Sequence, residues 1–176
     1  MRYRVKIMNQ DIIFLDIIRK LQLNVMISMI ANKGFYIEPK IIKSPNFKQK
    51  SKIRPAGFNF ANLDLLRDLL DVAVNEKGSN AYSSRIEGND WRMAGKTGTS
   101  QVKEITMEER EQEVIVAKNW KERDHALFVG YAPTKKPKYS VSVVIEHGGS
   151  GSQKAAPIGR DILLACQNIK TYGFKA

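Results

Sequence analysis

Two β-prone runs in the last third of the chain limit the possible folds more than any other feature. Residues 125–132 (HALFVGYA) and 139–146 (YSVSVVIE) are rich in β-branched and aromatic side chains, which favour strands. The PTKKPK segment between them contains two prolines, and proline cannot donate a ladder hydrogen bond. Strands joined by so short a turn run antiparallel, and pairing Ala132 with Tyr139 predicts a β-hairpin.

Helical patterns lie on both sides of this hairpin. Residues 11–32 carry apolar side chains on more than one face and lead to Gly34, which predicts one buried helix, or two, with a glycine stop. Residues 152–169 predict a terminal helix with Pro157 in its first turn.

The clearest helix covers residues 62–78, with Asn62 as a candidate N-cap and Gly78 at its end. Its apolar residues at helical spacing are Leu65, Leu66, Leu69, Leu70 and Ala73. Such a helix covers a sheet with one face.

Two further strands are expected. Residues 35–42 form a short β-prone run that suits a sheet edge because Pro39 interrupts it, and residues 91–103 form a second run. The richly charged residues 104–124 are expected to form a long exposed excursion. These patterns predict an α+β fold, in which helices cover an antiparallel β-sheet.

Charge and composition narrow the functional classes. The formal net charge is +11, and residues 33–54 contribute more than half of it. This basic stretch is rich in proline and weakly periodic, which indicates a solvated connection and argues against nucleic-acid binding. Its alternative interpretation is a basic interaction module that binds a polyanion or a partner protein. No transmembrane segment or signal peptide is expected, and the single Cys166 excludes an internal disulfide framework.

The stretch MAGKTGTSQV, residues 93–102, places a cation and two hydroxyls within one β-prone run. Lys96 supplies positive charge, Thr97 and Thr99 supply hydrogen-bond donors, and Gly98 allows close approach of a ligand backbone. Alternation along a strand puts the two threonines on the face opposite Lys96. The pattern therefore favours an edge strand that binds an extended ligand carrying a carboxylate. A polar surface strand is the alternative, whereas a phosphate-binding loop is excluded because its first glycine is missing.

Six stretches follow one another along the chain: LQLNVMISMIANKG, AYSSRI, AGKTGTSQV, DHALFVGYAP, YSVSVVIEHGGSGS and AAPIGRDIL. In this order they resemble the transpeptidase domain of class B penicillin-binding proteins, in particular the penicillin-binding protein 2 group. Lys96-Thr97-Gly98 resembles the third motif of this family. The resemblance covers about residues 21–166. It implies part of a penicillin-binding/serine-transferase (β-lactamase-like) domain.

The resemblance also implies a chemistry. The family cross-links peptidoglycan through a serine ester formed with a D-Ala-D-Ala stem peptide. By this resemblance Lys96 belongs to the polar network around the nucleophile, and Thr97 and Thr99 hold the carboxylate of the substrate or a β-lactam. The Thr99 backbone N–H forms half of the oxyanion hole. No metal or organic cofactor is implied, and the family's compartment is the periplasm, in association with the inner membrane.

The other two family motifs are not recognisable. Ser100 and Lys103 have the Ser-x-x-Lys spacing but overlap the strand, where positions three apart point to opposite faces. Ser44-Pro45-Asn46 spells Ser-x-Asn but lies after the segment that follows this motif in the family. A chain without the nucleophile is expected to be inactive alone.

The division of the chain follows from the same comparison. Residues 1–20 are expected to be an atypical N-terminal extension, and residues 21–176 the C-terminal portion of the domain, which suggests a truncated or recombined gene. Half of a domain exposes apolar surface, so self-association is expected.

Two histidines form a candidate metal site. The hairpin alignment puts His125 opposite Glu146 and beside His147, and these three groups are possible zinc ligands. Strand-end histidines more often make a hydrogen bond or an ion pair, so we favour no metal. The glycine-rich residues 147–151 (HGGSG) allow a phosphate-binding loop, but the resemblance places them at the rim of the cleft.

Overall fold

The computed structural model describes residues 9–40, 61–88, 90–102 and 119–168. Within them, three antiparallel strands form one sheet in the order β1-β2-β3: β1 (Ala94–Ser100), β2 (His125–Ala132) and β3 (Tyr139–Ile145). Ala132 pairs with Tyr139, so the predicted hairpin and its register are confirmed. The strand predicted for residues 91–103 is shorter, and residue 103 lies outside the described ranges.

Helices cover this sheet, as the sequence predicted, and they lie on both of its faces. The helices are α1 (Asn9–Ala31), α2 (Ala61–Asn75) and α3 (Ala156–Asn168), and one π-helical turn, Gly151–Ala155, leads into α3. Tyr131 of β2 packs with α1 and α2 on one face, whereas Phe128 packs towards the π-turn and α3 on the other. Pro157 is the second residue of α3, as the sequence predicted for the first turn of this helix. No helix within the described residues is long and apolar enough to cross a membrane.

The end of α1 confirms the predicted stop. Lys33 and Gly34 adopt left-handed φ angles of 64° and 87°. The Gly34 N–H donates to Met29 O at 2.7 Å, and the Lys33 N–H donates to Ile30 O at 3.3 Å. These two bonds satisfy carbonyls that the helix end would otherwise leave free.

The buried face of α2 differs from the one that the leucine spacing suggested. Leu63, Leu70 and Val74 are buried, while Leu65 is 60% exposed and Leu69 is 54% exposed. The sheet selects the face: Leu70 packs with β1 and β2, which turns the other leucines outwards. The helix includes Ala61, so Asn62 lies inside its first turn and the N-cap prediction was wrong.

Two connecting segments differ from the regular elements above: residues 35–40 and the end of the charged residues 104–124. Residues 35–40 form no strand apart from a single bridge at Tyr36, so the predicted edge strand is wrong over this part. Most of the predicted charged excursion, and residues 41–60, lie outside the described ranges. At the end of that excursion Trp120–Glu122 form one 3-10 turn.

Tyr131 lies in a charged cluster between α2 and the hairpin. Arg92 donates to both carboxylate oxygens of Asp71, at 2.8 and 2.6 Å, and Arg67 donates to Thr134 O at 3.1 Å. Burial raises the pKa of Tyr131, while the hydrogen bond from Arg67 opposes this effect. The fold therefore favours the neutral phenol.

We expect the stability of the protein to fall as the pH rises above about 10, because the buried phenol ionises less readily in the folded chain than in the unfolded one. The raised pKa of Tyr131 contributes fully to stability at pH values below the pKa that the phenol has in the unfolded chain. This contribution is lost as the pH rises through the pKa of the phenol in the folded chain. Thermal unfolding of the wild type and Tyr131→Phe between about pH 9 and 11 measures this contribution. A slope equally steep in both proteins would contradict the assignment to Tyr131.

Candidate functional site

The Lys-Thr-Gly-Thr run lies in β1, at one end of the strand order. Among the described residues, β1 pairs with β2 on one side, and no strand lies on its other side. An edge strand presents backbone N–H and C=O groups to which an extended ligand can add. The position is the one that the sequence predicted for a ligand-binding strand.

The two faces of β1 carry different chemistry. Lys96 pairs with Val129, which packs on the α1 and α2 side. Thr97 and Thr99 pair with Phe128 and Ala126, which pack on the α3 side. The predicted alternation is therefore present, and a ligand that meets both faces has to lie along the open edge.

Lys96 is accessible for binding. Its side chain is exposed, and Nζ donates to the backbone oxygen of Thr97 at 2.9 Å. An ammonium group has three donors, so this bond leaves capacity for an anionic ligand. Thr99 is also exposed, and Thr97 is half-buried.

The glycine-rich segment (residues 147–151) packs directly against β1. A Cβ atom on Gly151 would lie 2.7 Å from Leu127 O and would also collide with Gly98 O. Only glycine allows this approach between the start of the π-turn and the strand backbone. The segment predicted as a cleft rim thus lies next to the Lys-Thr-Gly-Thr run.

His125 and His147 interact through the backbone as well as through their rings. The His147 N–H donates to His125 Nδ1 at 2.9 Å, and the ring centroids are 4.9 Å apart. The Trp120 ring also lies near the His147 ring, with a centroid distance of 4.7 Å. Within the ranges that the structure describes, His, Cys, Asp and Glu side chains nowhere gather in threes suited to a metal ion.

A cavity of about 430 Å³ begins at Ser100, the last residue of β1. Its lining is partly apolar and partly ionisable: Lys20, Leu23, Ser100, His125, Leu127, Val144, Glu146 and His147. Lys96, Gly98 and Ser100 are two residues apart along β1 and therefore share one face of the sheet. Their partners on β2 share it too: Ser100 pairs with His125, and Gly98 pairs with Leu127, so the cavity lies on the same face as Lys96.

The remaining sequence candidates are not brought to this site. Ser100 is exposed at the end of β1, while Lys103 and Ser44-Pro45-Asn46 fall outside the described residues. Sequence reasoning missed the contact between Gly151 and Gly98 and the bond between His125 and the His147 backbone. For the contact between Gly151 and Gly98, the only signal in the sequence was the run of glycines at residues 147–151. For the bond between His125 and His147, the signal was the hairpin register, which brings the two histidines together.

Comparison with known proteins identifies the family to which the chain belongs. The model of the penicillin-binding protein transpeptidase domain matches residues 18–164. The chain belongs to this family. The predicted resemblance and fold class are thereby confirmed, and the Lys-Thr-Gly-Thr run lies within the matched region.

Similar proteins come from several bacteria. The chain is 32% identical over 149 residues to the peptidoglycan D,D-transpeptidase MrdA of Acinetobacter baumannii, covering 78% of this chain and 21% of that protein. It is 40% identical over 148 residues to MrdA of Salmonella typhimurium, covering 78% of this chain and 23% of that protein. The chain thus spans between a fifth and a quarter of the length of these relatives.

Solved structures agree with the sequence matches. Penicillin-binding protein 2 of Helicobacter pylori, solved in complex with MreC, has a TM-score of 0.64 and 27% identity, covering 89% of this chain and 25% of that one. Penicillin-binding protein 2 of Pseudomonas aeruginosa, solved in complex with WCK 5153, has a TM-score of 0.59 and 28% identity, covering 84% of this chain and 30% of that one.

The predicted division of the chain at residue 20 stays a prediction. Helix α1 runs through this position without a break.

Proposed function

We propose that this chain supplies the substrate-binding strand of a peptidoglycan D,D-transpeptidase site, and that β1 binds a D-Ala-D-Ala stem peptide or a β-lactam. The observation that carries the proposal is that no strand of the described part of the chain pairs with the outer edge of β1, which has an exposed Lys96 on one face and the Thr97 and Thr99 positions on the other. A peptide ligand adds to this edge through backbone hydrogen bonds.

Each residue of the run has a distinct role in this proposal. The Lys96 ammonium attracts the ligand carboxylate and belongs to the polar network around a nucleophile, and the two threonine hydroxyls donate to the carboxylate. The Thr99 backbone N–H stabilises the oxyanion that develops at the attacked carbonyl. Gly98 lets the ligand backbone approach the strand, because no side chain stands in the way.

The nucleophile is the part that the 176 residues do not supply in recognisable form. The only Ser-x-x-Lys spacing is Ser100 to Lys103, and Ser100 lies on a strand rather than on a helix. In a helix the two side chains would share one face, as a serine and its activating lysine must. We therefore propose that acyl transfer requires a serine outside this sequence, and that this chain alone binds ligand without turnover.

We expect an acylated D-Ala-D-Ala peptide to bind weakly and reversibly, and to shift the backbone amide resonances of residues 95–100 in an NMR titration. Lys96→Ala should weaken binding about 10- to 100-fold, because it removes a charge-assisted hydrogen bond of roughly 1.5–3 kcal/mol. Thr99→Val should weaken binding by about tenfold or more, because valine has a similar shape but lacks the hydroxyl that donates to the charged carboxylate.

Two controls make this titration decisive. Lys136→Ala removes the same charge from an exposed position in the β2–β3 turn and should leave the affinity unchanged. The L-Ala-L-Ala peptide carries the same carboxylate with the wrong stereochemistry and should bind less well. Equal weakening by Lys136→Ala and Lys96→Ala would indicate general charge attraction and would refute the site.

Incubation with a β-lactam followed by intact mass measurement tests the missing nucleophile. The expected spectrum shows the unmodified mass. A stable penicilloyl adduct on this chain would overturn the proposal that the serine comes from elsewhere.

By the same resemblance, the complete protein works at the periplasmic side of the inner membrane, where peptidoglycan is built. A protein partner of the kind bound by the Helicobacter pylori relative belongs to this proposal for the complete protein. Self-association of the chain stays a prediction, and the basic interaction module would act through residues 33–55, most of which lie outside the described ranges.

A further inference from the structure

The bond between His125 and His147 has a defined proton arrangement. The backbone N–H of His147 can only donate, so His125 Nδ1, 2.9 Å away, is the acceptor and carries no proton. The proton of the neutral imidazole is therefore on Nε2. In this tautomer Nε2 offers no lone pair to a metal, which agrees with a structural rather than a ligating role.

The ring of His147 behaves differently. Its Nδ1 lies 3.0 Å from the backbone oxygen of Arg123, and because a carbonyl oxygen only accepts, Nδ1 must donate. This bond persists whether His147 is neutral or charged. A charged His125, by contrast, carries N–H groups on both ring nitrogens, and its Nδ1–H would face the His147 N–H. Acid therefore breaks one of the two bonds and leaves the other.

The broken bond would act on the glycine-rich segment. His147 begins this segment with a left-handed φ of 54°, and the Gly149 N–H donates to Asp124 O at 2.8 Å. The segment ends where Gly151 touches the backbone of Gly98. His125 thus holds the end of the segment opposite to the one that packs against the Lys-Thr-Gly-Thr run.

We propose that His125 is a positioning residue: its neutral imidazole helps to fix residues 147–151 against β1, and its protonation partly releases them, because the bonds from His147 Nδ1 and the Gly149 N–H remain. The ligand strand is held in place while the imidazole is neutral and loosened once it carries a second proton. The effect on ligand binding rests on the function proposed above, whereas the release of the segment does not.

Charged residues lie around His125 on three segments: Lys20 of α1 and Glu146, just after β3, line the same cavity as His125, and Arg123 and Asp124 directly precede it in the chain. Ser100, opposite His125 on β1, is neutral. Carboxylates favour and cations oppose a charged imidazole, so these groups act in opposite senses. The response is expected from the imidazole itself, and the variants below assign it.

NMR amide exchange of the 176-residue chain between about pH 5 and 8 tests the proposal without any ligand. After correction for intrinsic exchange, the amide of residue 147 should lose about 5- to 10-fold of its protection at the acid end, as expected for one neutral hydrogen bond. Constant protection of this amide across the range would refute the proposal.

Two asparagine variants distinguish the histidines. His125→Asn keeps an acceptor oxygen at the same branch of the side chain but does not titrate, so protection of amide 147 should become independent of pH. His147→Asn keeps the backbone donor and tolerates a left-handed φ, so the pH response should remain. The reverse pattern would assign the response to His147 and overturn the proposal.

Peptide titrations at both pH values separate this inference from the proposed function. If the segment responds to pH but D-Ala-D-Ala binds at neither pH, the proposed function fails and the role of His125 stands. If the peptide binds equally at both pH values and amide 147 does not respond, the role of His125 fails and the proposed function stands.

Discussion

Phe128→Ala is expected to destabilise the protein by about 3–5 kcal/mol, the range for removing a fully buried phenylalanine. The ring has no exposed surface and lies among three glycines on β1, β2 and α3: Gly95, Gly130 and Gly159. A Cβ atom at Gly95 or Gly130 would lie 2.6 or 2.8 Å from the ring. Because these glycines have no side chains to fill the space, truncation should leave a cavity.

Chemical denaturation measures this loss as the free energy of unfolding. Leu65→Ala is the matched control, since Leu65 is a large apolar residue that is 60% exposed. It should change stability by less than about 0.5 kcal/mol, as surface substitutions usually do. A loss below about 1 kcal/mol for Phe128→Ala would mean that the sheet and α3 do not share this core.

Gly151→Ala is expected to destabilise the protein by about 2–3 kcal/mol, near the upper end of the range for overpacking. The new methyl group would meet Gly98 O and Leu127 O, which are backbone atoms and cannot rotate away as a side chain can. Relief requires the glycine-rich segment to move off β1. The amide resonances of residues 96–100 should therefore shift in this variant even without ligand.

Gly98→Ala is the matched control, because it adds the same methyl group to the other glycine of the contact between Gly151 and Gly98. A Cβ atom there would lie 3.4 Å from the Leu127 Cβ, which is ordinary contact, and Gly98 has no left-handed φ. Its stability should stay within about 1 kcal/mol of the wild type, because alanine also restricts the unfolded chain. Equal destabilisation by the two variants would mean that the packing of Gly151 is not the cause.

Local patterns explain how much of the fold was predictable. The hairpin and its register follow from β-branched runs on either side of a proline-rich turn, and Gly34 marks the end of α1 because glycine tolerates a left-handed φ. These features depend on neighbours in the sequence. The edge strand predicted at residues 35–42 failed over its described part, because β-propensity specifies a strand only where a partner strand is available.

By itself, the sequence determined the family, the antiparallel hairpin and the alternation that separates Lys96 from Thr97 and Thr99. Tertiary structure alone decided which leucines of α2 are buried, that β1 lies at the edge of the sheet formed by the described residues, and that Gly151 packs on Gly98. It also set the direction of the bond between His147 and His125. The physical reason is that these features depend on contacts between distant segments, and neither composition nor periodicity records which surfaces meet.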